Sequence, residues 1–360
     1  MNLKGPDQPG PRSVSVVPTK LRARAVGLAL LVLSSAVLAG VAVGPVKLHF
    51  TSVLAELIDR LPLFGANSGL APQQEAILLQ IRLPRVLLAG LVGAALAVSG
   101  AAFQGVFRNP LADPYLLGAA AGAGLGATLA IAYGWSSYET LTAFGIIPVA
   151  AFAGAVTGVA AAYALGRSAG GRSPVTLILS GVAVAAFLTA LQIYFQQRNS
   201  ETLREVYAWI LGGFGTSGWR SVWMILPYVF VSVMVITLHR RLLDVMSLGE
   251  DESGGLGVRA SRVRLTVVVA ASLGTAAAVA VSGLIGFVGI IVPHTVRLIA
   301  GSSYRILVPL SVVYGAAFLI LTDLLARTVV APAELPLGVV TAFFGAPFFA
   351  LILRTSRKAL

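Results

Sequence analysis

The sequence predicts an all-α integral membrane protein: ten transmembrane helices with short helices in the connections on either side, and both termini in the cytoplasm. Two observations predict the class. The 360 residues are 57% hydrophobic and only 11% charged, whereas soluble domains carry about 25% charged residues. The apolar residues also fall into uncharged runs approaching the roughly 20 residues a helix needs to cross hydrocarbon. Those runs are 25–46, 86–107, 115–135, 141–166, 175–195, 222–238, 265–281, 284–296, 306–321 and 337–353.

The first run follows a segment with Pro6, Pro9, Pro11 and Pro18 and then Lys20, Arg22 and Arg24. It is longer than the roughly 7–15 residues of a cleavable signal core, so it predicts a retained helix. Residues 1–24 read as a disordered cytoplasmic tail, 25–355 as the ten-span domain and 356–360 as a second cytoplasmic tail. The second run opens on Arg82-Leu83-Pro84-Arg85 and closes on Arg108-Asn109-Pro110-Leu111-Ala112-Asp113-Pro114. Proline is disfavoured inside helices, so these prolines predict the helix ends. The short eighth run faces the seventh across Ser282-Gly283, which predicts a tight hairpin. Ala97-Val98-Ser99-Gly100 returns at Ala280–Gly283, each copy followed at matching distances by a proline and a glycine. The two copies run in the same direction through the membrane, so the echo does not establish an inverted repeat.

Basic residues set the orientation. With the N-terminus inside, the outer side holds Lys47, Arg60, Arg82, Arg85, Arg198, Arg204, Arg220 and Arg327. These are eight of the 26 Lys and Arg residues, and eighteen remain inside. The longest inner connection, with a coupling segment over 240–262, carries Asp244, Glu250, Asp251 and Glu252. Within it Ser247–Val258 reads either as a solvated loop or as a short amphipathic helix with Leu248 and Leu256 as apolar points. Gly254 and Gly255 each weaken that helix by about 1 kcal/mol relative to alanine. On the outer side, Ser200 reads as the cap of a helix running toward Trp209.

Several chemistries find no support. The chain has no cysteine, and hence no thiolate ligand or nucleophile. His49, His239 and His294 form no metal-binding pair. No Gly-Lys-Ser/Thr triplet occurs, so the chain is not expected to bind ATP or any cofactor of its own. The formal charge of +12 is spread over connections between apolar runs, which fits membrane topology rather than nucleic acid. Gly118, Gly122, Gly124 and Gly126 lie in an apolar run and read as close helix packing.

Polar groups within apolar runs are costly in hydrocarbon. Gln104, Gln192, Gln196 and Gln197 read as interhelical hydrogen bonds or a wetted path, and Asp323 with Arg327 as an i,i+4 ion pair. Arg82 and Arg85 share one helical face at the outer mouth, where Arg327 also arrives. Such arginines run against the usual charge bias, and lipid headgroups or a carboxylate-bearing partner would explain them.

These residues resemble one family: permease subunits of type II ABC importers for iron-siderophores, haem and cobalamin. The matching segments are RLPR at 82–85, SGAAFQGVFRNPLADPYLLG at 99–118, EVYAWILGGFGTSGW at 205–219, LGEDESGGLGV at 248–258, SGLIGFVGIIVPHTVRLIAG at 282–301 and ELPLGVVTAFFGAPFF at 334–349. The resemblance implies a homodimer in the inner membrane. It also implies two cytoplasmic subunits that bind Mg-ATP and an outer substrate-binding protein. It assigns Arg82, Arg85 and Arg327 to binding-protein docking. Ser247, Leu248, Gly249, Glu250, Leu256 and Gly257 fall to ATPase coupling, and Gln192 and Gln196 to the translocation path. Asn109, Leu111 and Ser173 fall at the inner mouth as gate residues. An iron chelate, siderophore or haem, is the expected cargo, with cobalamin second. The rival class is a secondary transporter driven by an ion gradient, which asks for mid-span acids. Asp323, near one end, is the nearest to such a group.

Overall fold

The computed structural model describes residues 23–44, 46, 49–59, 69–134, 145–169, 173–215 and 218–356. Most of the N-terminal tail expected over 1–24, and residues 357–360 of the C-terminal one, lie outside the described residues. Each of the ten apolar runs falls on a helix. Helix α1 spans Ala23–Ala42 and α2 spans Phe50–Asp59. Helix α3 runs through Pro72–Phe107. Then come α4 (Ala119–Ala132), α5 (Ile146–Ser168), α6 (Pro174–Arg198) and the short α7 (Leu203–Ile210). The remainder comprises α8 (Trp219–Met246), α9 (Glu250–Gly255), α10 (Ala260–Ser282), α11 (Val288–Ala300), α12 (Tyr304–Ala326) and α13 (Leu337–Ser356). Among the described residues seven helices are long and apolar enough to cross a membrane, and α4, α11 and α13 are shorter apolar helices.

Helix α3 is the axis of the bundle. Its most apolar stretch is 83% buried, against 17% for α6 at the periphery. It packs on α12, α10, α8 and α11. Lipid tails are as apolar as leucine, so close backbone approach takes over the role that hydrophobic exclusion has in water. The sequence supplies it with small residues. A side chain at Gly93 would overlap the Gly315 carbonyl, and one at Gly100 the Gly289 carbonyl. The glycine run of α4 works the same way, with Gly122 against Gly154 and Gly126 against Ala150 on α5.

Three expectations need correction. Pro84 does not end a helix, because α3 continues through it. The turn before it, Ile77–Arg82, is π-helical, and such wide turns occur as single insertions in α-helices. The missing N–H of Pro84 leaves a carbonyl to satisfy nearby, and the Trp219 indole donates to the Leu79 carbonyl at 2.9 Å. The second correction concerns 281–288. Gly283 has φ +68°, and the chain leaves α10 in non-helical form instead of folding back on it. Helix α11 then packs on α3, α12 and α13. The connecting backbone is satisfied by protein, as hydrocarbon demands: Gly213 N–H donates to the Ser282 carbonyl at 2.9 Å. The Tyr115 hydroxyl donates to the Ile285 carbonyl at 3.0 Å and accepts from Ile285 N–H at 3.2 Å. Third, Ser200 opens a 3-10 turn, Ser200–Thr202, ahead of α7, with no side-chain cap.

Candidate functional site

The candidate residues gather at the two ends of the bundle. At one end, Arg82 and Arg85, at the close of the π-turn of α3 and just beyond it, meet Arg327, just past the end of α12, beside the C-terminus of α1. All three are buried, at 4%, 8% and 4% exposure. Arg82 Nη1 donates to the Val41 carbonyl at 3.0 Å and the Ala42 carbonyl at 2.8 Å, and its Nη2 to the Val46 carbonyl. Arg327 Nη2 donates to the Gly40 carbonyl. A helix C-terminus leaves carbonyls without intrahelical donors and carries partial negative charge, so cations are favoured there.

Arg85 holds the carboxylates of this end. Its Nε and Nη2 reach Asp323 at 3.1 and 2.8 Å. Its Nη1 and Nη2 grip the two oxygens of Glu334 at 2.8 and 2.9 Å. Asp323 also lies 3.5 Å from Arg327 Nε, the i,i+4 pair read from the sequence. Hydrogen bonds from Arg85 hold the Glu334 carboxyl below its usual value of 4.5. Three guanidiniums thus face two carboxylates, and the Glu334 side chain, 43% exposed, is the member that meets solvent. Sequence reading missed Glu334 as a partner of Arg85. The signal available was Glu334 itself, one of two acids, with Asp323, between the last two apolar runs.

At the opposite end α3 terminates in Arg108, which adopts φ +51°. Asn109 Oδ1 accepts from Leu111 N–H at 2.9 Å and the Asn109 carbonyl accepts from Ala112 N–H at 3.1 Å, closing the expected turn. Asp113 accepts from Tyr115 N–H at 2.8 Å, and burial pushes its carboxyl up to about 6. Ser173 caps α6 by accepting from Thr176 N–H at 3.2 Å. Asn109 and Ser173 are each held within their own turns. Gln104 donates to the Gly289 carbonyl at 2.9 Å and accepts from Arg297, so it joins α3 to α11. Asp244, near the end of α8, caps α12 from outside that helix: it accepts from Tyr304 N–H at 2.6 Å and Ser303 Oγ at 2.9 Å. Nothing in the sequence pairs Asp244 with a helix start 60 residues on.

Three residues beyond Asp244, within the expected coupling segment, the chain leaves α8. Ser247 and Leu248 turn out of α8, Gly249 takes φ +135° and Glu250 starts α9. Gly257 takes φ +77° as the chain turns toward α10. Positive φ favours glycine, which is what the sequence places at both bends. Leu248 and Leu256 stand 60% and 64% exposed at the two ends of α9. On α6, Gln192 and Gln196 are buried, with the Gln192 amide against Gly124 of α4. The exposed face of α6 is apolar, with Val175, Leu179, Val182, Phe187, Ile193 and Tyr194.

A polytopic helical bundle with buried ion pairs and a short helix between two glycine bends fits a membrane permease. The FecCD transport family model matches residues 30–355, and the chain belongs to that family. The cobalamin import permease BtuC of Halobacterium salinarum is 41% identical over 286 residues, 79% of this chain and 75% of that protein. The iron(3+)-hydroxamate import permease FhuB of Bacillus subtilis is 35% identical over 335 residues, 93% of this chain and 83% of that protein. A solved metal-chelate type ABC transporter in an inward-facing conformation superposes with a TM-score of 0.80 at 29% identity, covering 93% of this chain and all of that one. The chain is therefore a multi-pass permease subunit of an ABC importer in the inner membrane, and not itself an enzyme.

Proposed function

We propose that this permease moves an iron chelate, siderophore or haem, inward, with cobalamin as the second cargo. In this reading ten spans place both termini in the cytoplasm, and two copies enclose the path. Two ATPase subunits bind the coupling segment, and a substrate-binding protein docks at the opposite, arginine-bearing end. The single observation that carries the coupling assignment is the exposed pair Leu248 and Leu256 flanking a glycine-bounded helix: apolar side chains held outward on a connection ask for a protein partner. Ser247, Gly249, Glu250 and Gly257 set its orientation.

Arg82, Arg85 and Arg327 give the docking face one guanidinium more than its carboxylates neutralise, which favours an acidic partner surface. The unpacked apolar face of α6 supports its placement beside the path or the second copy. Gln192 and Gln196 position that helix against α4, and Asn109, Leu111 and Ser173 form the mouth that opens. Reconstitution with the ATPase and binding protein tests the reading. Chelate uptake is expected only with ATP and binding protein both present. Uptake driven by an ion gradient across liposomes holding this chain alone would overturn it in favour of a secondary transporter.

A further inference from the structure

A cavity of about 350 Å³ opens where three helices end together. Tyr163 and Arg167 come from the last turns of α5, and Leu177 from the first turn of α6. The first two turns of α10 contribute Ser261, Arg262, Arg264 and Leu265. Among the described residues its lining holds three guanidiniums, Arg264 being already engaged within the protein, and no carboxylate. Arg167 and Arg262 are exposed, while Arg264 is buried in the wall. These ends mark the level at which apolar helix gives way to polar connection, which is headgroup depth.

Below the arginines the wall turns apolar. Leu265 lines the cavity, and Val269, one turn further on the same face of α10, is 57% exposed. Arginine forks match phosphate oxygens in geometry and charge, and basic pockets between membrane helices suit anionic headgroups. A soluble anion would use the guanidiniums but not the apolar strip. We propose that this cavity holds the phosphate of an anionic phospholipid, with an acyl chain along Leu265 and Val269. The site lies at the start of α10, three residues beyond Gly257, so its occupancy bears on how rigidly the coupling segment is anchored.

The test compares the wild-type permease with the double variant Arg167→Ala/Arg262→Ala in nanodiscs of mixed phosphatidylethanolamine and phosphatidylglycerol. Native mass spectrometry counts the lipids retained after extraction. Wild type is expected to retain phosphatidylglycerol preferentially. Each guanidinium near the surface contributes about 1 kcal/mol of attraction, so each removal is expected to lower that preference about fivefold. Both side chains are exposed, which keeps the variant folded; unchanged thermal unfolding confirms it. Equal retention by the two proteins would overturn the proposal. Thermal stabilisation by millimolar inorganic phosphate in discs of phosphatidylethanolamine alone, matching that by phosphatidylglycerol, would assign the site to a soluble anion and overturn the lipid assignment. Loss of the ATPase subunits from the double variant with lipid retention unchanged would reassign the cavity to a protein interface.

Discussion

At the scale of single residues the arginine end turns on Asp323. It is 1% exposed and serves both Arg85 and Arg327. Asp323→Ala leaves two guanidiniums buried without their shared carboxylate, and breaking a buried pair costs about 3–5 kcal/mol. A correspondingly lower unfolding temperature in detergent is expected, and a shift under 1 °C would contradict the role given to Asp323. Glu334 is different, since solvent screens it. Arg85 depresses its folded pKa below 4.5, so its contribution is present above the unfolded value and is lost as pH falls through the folded one. The stability gap between wild type and Glu334→Gln is thus expected to stay constant from pH 5 to 8 and to close only on acidification below about 4.5. A gap that narrows between pH 6 and 8 would point to another group.

At the scale of elements the informative place is the π-turn before Pro84. Trp219→Phe keeps the ring packing but removes the donor to the Leu79 carbonyl. Leaving a buried acceptor without its donor costs about 1–3 kcal/mol; this bond is part-buried, so a loss toward the lower end is expected, which thermal unfolding would register. If the variant instead unfolded like wild type, another donor would have to serve that carbonyl. The same place shows what was legible. Uncharged runs identified the apolar helices, because a long run in hydrocarbon satisfies its backbone groups within itself as a helix. The glycine run of α4 read correctly as packing, because its spacing repeats every turn. The helix end before Pro110 read correctly, but the one at Pro84 did not, because a π-turn and an indole from α8 rescued that proline, and the rescue depends on a contact 140 residues away in the chain. Arg82 and Arg85 were recognisable as unusual through their sidedness. That Arg85 grips Asp323 and Glu334, 238 and 249 residues distant, is tertiary information. Likewise Gln104 was visible as a polar residue in an apolar run, but its partners on α11 were not.

At the scale of the whole molecule, the two ends are built for different duties. One clusters α1, α3 and α12 through buried charge. The other carries a chain of side-chain contacts. Asp244 holds the start of α12, Tyr304 of that helix meets Arg297 at 3.4 Å, and Arg297 meets Gln104 on α3. Asp244 lies within the expected coupling segment and six residues before Glu250, so one side chain there joins the end of α8 to the start of α12. The central claim is that this segment binds a separate ATPase. It is tested most directly by purifying the tagged chain from its native membrane in mild detergent, alongside Leu248→Ser/Leu256→Ser, and measuring the co-purifying ATPase subunit. The account predicts an ATPase at equal stoichiometry with the wild-type chain and its loss from the double variant, with the fold unchanged. A wild-type chain that emerges folded but without an ATPase, or a double variant that retains it fully, would contradict the account.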